Sequence, residues 1–207
     1  MRIGSHWAIL DRLSSGRFLT RVRTADPVLY LSFDDGPHPQ HTPALLDLLA
    51  RYDAQASFFM VGAAVARHTT VAVQVARAGH TIGNHSYSHT RMTTIRPAER
   101  CVEYERTEQV LRGVDGRESH PYRPPYGSVP YESALRCLLS SARLVLWSVD
   151  SLDHRGDSAA VVRDLGAARM RPGDILLFHD DAATALEALT VLLPQWRDQG
   201  FSFRALP

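Results

Sequence analysis

The sequence predicts an α/β fold: a distorted or incomplete (β/α) barrel with about seven parallel strands. Three observations carry this. Short apolar runs alternate with helical patterns, which argues for parallel strands covered by helices. The chemically unusual polar residues recur at the carboxyl ends of those runs, where such barrels place their active sites. The chain has 207 residues, 44% of them hydrophobic, enough for one sizeable core.

Each element has its own signal. Val28–Phe33 is rich in β-branched and aromatic residues and reads as a buried strand closed by Gly36-Pro37. Thr42-Pro43 opens a helix to about Tyr52, with Thr42 as N-cap. Ala56–Val61 is a strand, Val71–Ala78 a helix stopped by Gly79, and His80–Gly83 a short strand. Pro97–Arg112 is a helix with Gly113 after its end. Tyr122–Tyr126 is extended and Pro-rich, and Pro130–Ser141 is helical. Arg143–Val149 is a strand, Ser158–Met170 a helix and Asp174–Phe178 a strand. Ala182–Gln199 is a helix that Pro194 should kink or break, and Phe201–Leu206 alternates as a last strand. Residues 1–26 are basic and mixed. They read as an N-terminal arm packed on a catalytic domain of residues 27–207, through Trp7, Ile9, Leu10, Leu13, Phe18, Leu19 and Val22.

A net charge of +1 supplies no field for nucleic acid or anionic membrane. Cys101 and Cys137 form neither a zinc motif nor a disulfide framework and are expected as free thiols. The N-terminus lacks the apolar core of about 7–15 residues that a signal peptide needs. No run approaches the roughly 18 apolar residues of a membrane span. A soluble, cytoplasmic protein is the expectation, with the partly amphipathic residues 1–26 as the one route to peripheral membrane contact.

Asp34 and Asp35 are adjacent carboxylates where a buried strand meets a turn. Two such groups repel and lose hydration unless something positive holds them. A metal ion is one answer; a solvated turn is the bland one. His85 and His89 lie four apart, a spacing that one helical turn would bring to a single face. With Asp35 they make two imidazoles and a carboxylate, a recurrent open metal site at which a bound water's pKa falls toward about 7. Hydrolysis also needs a base and an acid. Asp34 is the available base, with Arg123 to hold it ionised through a fork-shaped contact. His179 is the candidate acid, with Asp153 to support its charge. Taken alone, Arg123 would be a loop salt bridge and His179 a satisfied core histidine.

These residues fall in five ordered motifs: Ser32-Phe33-Asp34-Asp35-Gly36-Pro37, His85-Ser86-Tyr87-Ser88-His89, Arg123-Pro124-Pro125-Tyr126, Asp150-Ser151-Leu152-Asp153-His154 and Leu177-Phe178-His179. In this the chain resembles the polysaccharide deacetylases of carbohydrate esterase family four, the nodulation-type chitooligosaccharide deacetylase domain, over about residues 28–206. The resemblance implies Asp34 as base, Asp35, His85 and His89 as metal ligands, and Arg123 as the group that positions the base. It implies that the Tyr126 backbone N–H helps form the oxyanion hole and that Leu177 lines the acetyl-methyl pocket. It also implies His179 as acid, tuned by Asp153. One position departs: the fourth motif usually ends in Trp, which would wall the substrate groove, and here it ends in His154. Substrate range is what that change touches.

The expected activity is therefore metal-dependent removal of acetyl from an N-acetylated amino sugar in an oligosaccharide, polysaccharide or glycoconjugate. Zinc is the first expectation, with cobalt or another divalent ion open. Three other readings stand beside it. The same machinery would cleave an O-acetyl sugar ester, or deacylate a small non-polymeric metabolite. Two histidines and a carboxylate also make an iron(II) oxygenase triad, against which Asp34 and His179 argue. A non-catalytic sugar-binding module should have lost a ligand, the base or the acid, and none is missing. Nothing in the sequence sets the oligomeric state.

Overall fold

The structure is a computed structural model that describes residues 11, 14, 16–131 and 143–207. Most of the expected helix over 130–141, Cys137, Trp7, Ile9, Leu10 and Leu13 lie outside the described residues. Cys101 is half-buried.

The central strand is β2 (Val28–Asp34), buried along its whole length. β1 (Phe18–Leu19) precedes it. Alternate side chains of β2 face opposite ways. Leu29, Leu31 and Phe33 join the larger core against the helix layer, whereas Val28 and Tyr30 join a smaller cluster with Phe59, Val145 and Ile175 inside the barrel. That alternation sends Asp34 to the inner face at the carboxyl end. Around β2 run β3 (Ala56–Met60), β4 (Thr81–Asn84), β6 (Val149–Asp150), β7 (Ile175–His179) and β8 (Ser202–Phe203), in the order β4-β3-β2-β7-β6 with β8 beside the start of β2. Every strand pairing is parallel. Single bridges from Asn84 to Tyr122 and from Tyr122 to Leu144 carry the wall on to β5 (Leu144–Val145), which pairs with β1. The α/β class and the distorted barrel are as the sequence predicts.

The run expected as one strand over Arg143–Val149 is two, because its hydrogen-bond partners change halfway. Val145 N–H bonds Tyr122 O on one edge; on the other edge Leu146 N–H bonds Leu19 O and Ser148 N–H bonds Ile175 O.

Among the described residues six helices cover the sheet: α1 (His41–Arg51), α2 (Gly62–Arg67), α3 (Thr69–Arg77), α4 (Pro97–Asp115), α5 (Ser158–Ala167) and α6 (Ala183–Asp198). Thr42 is not the N-cap; Gln40 is, and the Thr42 hydroxyl instead accepts the His38 N–H at 2.8 Å. α4 runs past Gly113 and stops at Gly116, whose φ of 77° is the left-handed turn glycine favours. α6 continues through Pro194, since Leu192, Leu193 and Trp196 on both sides of it are buried in the core. α2 had no sequence expectation. Before β2, the buried Asp11 carboxylate accepts the Thr20 N–H and hydroxyl, each at 2.7 Å. Among the described residues no helix is long and apolar enough to cross a membrane.

Candidate active site

Asp34 and Asp35 part company at the mouth of the barrel. Asp34 continues the inner face of β2, and Asp35 turns away with φ 79°. Arg123 takes Asp34: its Nη1 lies 2.6 Å from Oδ1. The guanidinium has no exposed surface and also donates to Val145 O at 3.3 Å and Leu146 O at 3.1 Å. Its Cζ lies over the Phe59 ring, 4.0 Å from the centroid. Burial lowers its pKa, against which the Asp34 carboxylate stabilises the charge. A buried guanidinium aimed by two carbonyls and a ring is a fixed clamp rather than a loop salt bridge.

Asp35 faces the histidines. Its Oδ1 is 3.0 Å from His89 Nε2 and 3.4 Å from His85 Nε2. Burial opposes ionisation of Asp35, but the two imidazoles outweigh it and hold the carboxyl well below the usual range. The same Oδ1 is buried and has no hydrogen-bond partner. An orphaned carboxylate oxygen facing two imidazole nitrogens suits a cation held between them. His85 Nδ1 lies 2.7 Å from Arg123 O and donates to that carbonyl, which fixes the ring with Nε2 toward Asp35. The expected helical turn over His85–His89 is absent. Ser86 and His89 have φ 64° and 58°, and the segment is a loop that brings the imidazoles together, ring centroids 5.0 Å apart.

Across the mouth, His179 ends β7 on the same inner face as Ile175. Its Nδ1 is 2.7 Å from Asp153 Oδ1, and its backbone N–H donates to Asp153 Oδ2 at 2.7 Å. Ser151 supplies a third bond to that carboxylate at 2.8 Å. Burial lowers the imidazole pKa, but the Asp153 bond and charge prevail and raise it to about 9. Asp150 caps the turn that follows it, accepting the Leu152 N–H at 2.9 Å.

The remaining predicted residues rim this space. Tyr126 has φ 60° and is 57% exposed, with its ring 4.7 Å from that of His89 and 4.3 Å beneath the Arg91 guanidinium. The turn bonds here run from Gly127 N–H to Pro124 O and from Ser128 N–H to Pro125 O, and neither uses the Tyr126 N–H. Leu177 is buried in β7, paired with Ser32 and Asp150. His154 is exposed, its ring edge-on to His179 at 5.6 Å.

The family described as polysaccharide deacetylase matches residues 21–144. The chain belongs to the polysaccharide deacetylase family. A peptidoglycan-N-acetylglucosamine deacetylase of Bacillus cereus is 32% identical over 86% of this chain, which spans 66% of that relative's length. A chitooligosaccharide deacetylase of Sinorhizobium fredii is 31% identical over 96% of this chain and 99% of its own. Among solved structures, the Bc1960 peptidoglycan N-acetylglucosamine deacetylase superimposes with a TM-score of 0.87 at 27% identity, covering 95% of this chain and 94% of that one. The expected class, a hydrolase acting on the amide of an N-acetylated sugar, is that of these relatives and of the family.

Two features of this chain are missing from the sequence expectations. Asp180, buried beside His179, accepts the Gly36 N–H at 3.0 Å and the Thr42 hydroxyl at 2.5 Å. Asp180-Asp181 at the end of a strand repeats the signal of Asp34-Asp35 and was there to be read. His80 shows the opposite case. It is a core histidine whose Nδ1 accepts the Ala56 N–H at 3.1 Å, and burial lowers its pKa to about 4, so it stays neutral.

Proposed function

We propose that this chain is a divalent-metal-dependent deacetylase that removes acetyl from an N-acetylated amino sugar of an oligosaccharide, polysaccharide or glycoconjugate. The observation that carries the reading is the division of labour at one strand end. Asp34 is clamped by Arg123, Asp35 faces two histidines, and the His179–Asp153 pair stands on the adjoining strand. Asp35, His85 and His89 would hold the ion, zinc being the expected one, which when bound polarises the acetyl carbonyl and makes water acidic.

Asp34 takes the proton of the attacking water, and Arg123 keeps it aimed. The Tyr126 N–H, outside the hydrogen bonds of its own turn, is free to donate to the oxyanion of the tetrahedral intermediate. Leu177 offers an apolar wall to the acetyl methyl. His179 gives a proton to the departing amine from Nε2, since Nδ1 is engaged with Asp153, whose negative charge supports the imidazolium. His154 borders the sugar where a larger aromatic would otherwise stand. In this reading residues 27–207 form the catalytic domain and residues 1–26 an arm against it, supported by the pairing of Phe18–Leu19 with Leu144–Val145.

Mass spectrometry of zinc-loaded protein with N-acetylated sugars from monomer to oligomer, with acetylated xylan alongside, tests the class. Loss of acetyl from the amino sugars is expected; loss from xylan alone would make it an O-acetyl esterase. Asp34→Asn should keep the metal and lose activity, whereas His85→Ala should lose both. Full activity in Asp34→Asn would sink the assigned base.

A further inference from the structure

The loop that carries His85 and His89 is gripped from behind by α4 at two points, and neither grip enters the chemistry above. The first is direct. Glu103 Oε2 accepts the N–H groups of Tyr87 at 3.0 Å and Ser88 at 2.8 Å, and Oε1 accepts the Ser88 hydroxyl at 2.9 Å. The second runs through Asn84, the last residue of β4, which has no exposed surface. Its Oδ1 accepts the Ser86 N–H at 2.9 Å, at the point where Ser86 turns left-handed. Its Nδ2 donates to Glu108 Oε1 at 2.8 Å. Its backbone carbonyl accepts the Arg123 N–H at 2.9 Å, so one residue sits between the ligand loop and the segment that clamps the base.

Glu108 is itself buried and held. Its Oε2 lies 3.0 Å from His120 Nδ1, and His120 Nε2 lies 3.0 Å from Asp115 Oδ1. Burial lowers the His120 pKa, but the hydrogen bonds and charges of the two carboxylates prevail and raise it. A buried line of charge, imidazole and amide is costly unless each member is satisfied. Here each member is, and the line ends on the turn between the two histidine ligands. Ser86 and His89 adopt φ values that side chains other than glycine seldom hold without outside support. Glu103 holds Tyr87 and Ser88 between them, and Glu108 reaches Ser86 through Asn84.

We propose that Glu103 and Glu108 of α4 are positioning residues that hold the 84–89 loop in its ligating shape and thereby set how tightly Asp35, His85 and His89 bind a divalent ion. This rests on the metal-hydrolase reading. Outer residues that orient metal ligands typically account for about 10–100-fold in affinity. Chelator competition with zinc alone, on the full chain, reads the effect without any substrate. Circular dichroism and the metal-free melting temperature are recorded beside it.

Glu103→Ala and Asn84→Ala should each weaken zinc binding by about 10–100-fold while the metal-free protein stays folded. Glu103→Gln should recover most of the loss, because one amide oxygen can still accept both N–H groups. Glu103 is on the partly exposed side of α4, so its variants remain informative if Asn84→Ala or Glu108→Ala fails to fold. Unchanged zinc affinity in Glu103→Ala overturns the inference. A wild-type chain that binds no zinc overturns the metal reading instead, which separates the two failures.

Discussion

Asp180 closes over Gly36. Its carboxylate accepts the Gly36 N–H at 3.0 Å, and a Cβ on Gly36 would collide with that same carboxylate. The Asp180 N–H in turn donates to Asp34 O at 3.2 Å, so the end of β7 fixes the turn from which Asp34 and Asp35 diverge. The position requires glycine for space, not for a left-handed backbone. Gly36→Ala should therefore destabilise the fold by about 1–3 kcal/mol through overpacking. It should also lower activity out of proportion, since both carboxylates move. Urea unfolding and acetate release measure the two effects; a variant as stable and active as wild type would refute the contact.

Burial raises the Asp180 carboxyl to about 7. A carboxyl whose folded pKa lies above its unfolded value of about 3.9 contributes stability at low pH and loses it as pH rises through the folded value. Asp180→Asn keeps an oxygen for the Gly36 N–H and removes the buried charge. Its melting temperature should gain on wild type as pH rises through about 7. Parallel melting curves across that range would refute it.

The His179–Asp153 pair fixes the alkaline limit. With His179 raised to about 9, the proton-donating form persists to that pH, and kcat/KM should fall above it. The sign for stability is the same: the contribution is fully present below the unfolded histidine value of about 6.5 and is lost as pH rises through about 9. Asp153→Asn removes the charge that raises the imidazole. The alkaline limb should move down toward the ordinary histidine range, with a lower maximal rate. A pH–rate profile of both proteins decides it, and an unmoved limb would take the acid role from His179.

Arg123→Ala would strand the Asp34 carboxylate in a buried place. Removing one partner of such a pair costs about 3–5 kcal/mol. Arg123→Lys restores charge but not the fork that also reaches Val145 O and Leu146 O. It should recover most of the stability and little of the rate. Equal recovery of both would mean that charge, and not aim, is what Asp34 requires.

These relationships differ in how far they can be read without coordinates. The strand ends are legible because a run such as Val28–Phe33 has a local composition, and the carboxylates after it stand out against that run. The split of Arg143–Val149 into β5 and β6 is not legible, since it follows from a change of partner from Leu19 to Ile175. The four-residue spacing of His85 and His89 suits a helical turn as well as a loop. What selects the loop is Asn84 beside it and Glu103 some way down the chain, a tertiary effect on local conformation. The end of α4 turns on a similar choice between Gly113 and Gly116. Leu111 is fully buried and Asp115 is bound to His120, and these contacts carry the helix to the second glycine.

His154 stands where the resemblance to the family implies a Trp, and its position says what the change should do. The imidazole is exposed and edge-on to His179 at 5.6 Å, and it makes no bond to Asp153, whose oxygens are taken by His179 and Ser151. It borders the acid without sharing its proton. His154→Ala should therefore leave the alkaline limb of the pH–rate profile where wild type has it. His154→Trp should act on binding: a larger aromatic face beside the site adds sugar stacking, lowering KM for longer chitooligosaccharides with little change in kcat. Kinetics on a chain-length series check both claims. A shifted limb in His154→Ala would make His154 part of the acid, and a change confined to kcat in His154→Trp would show that the residue acts on the chemistry rather than on the groove.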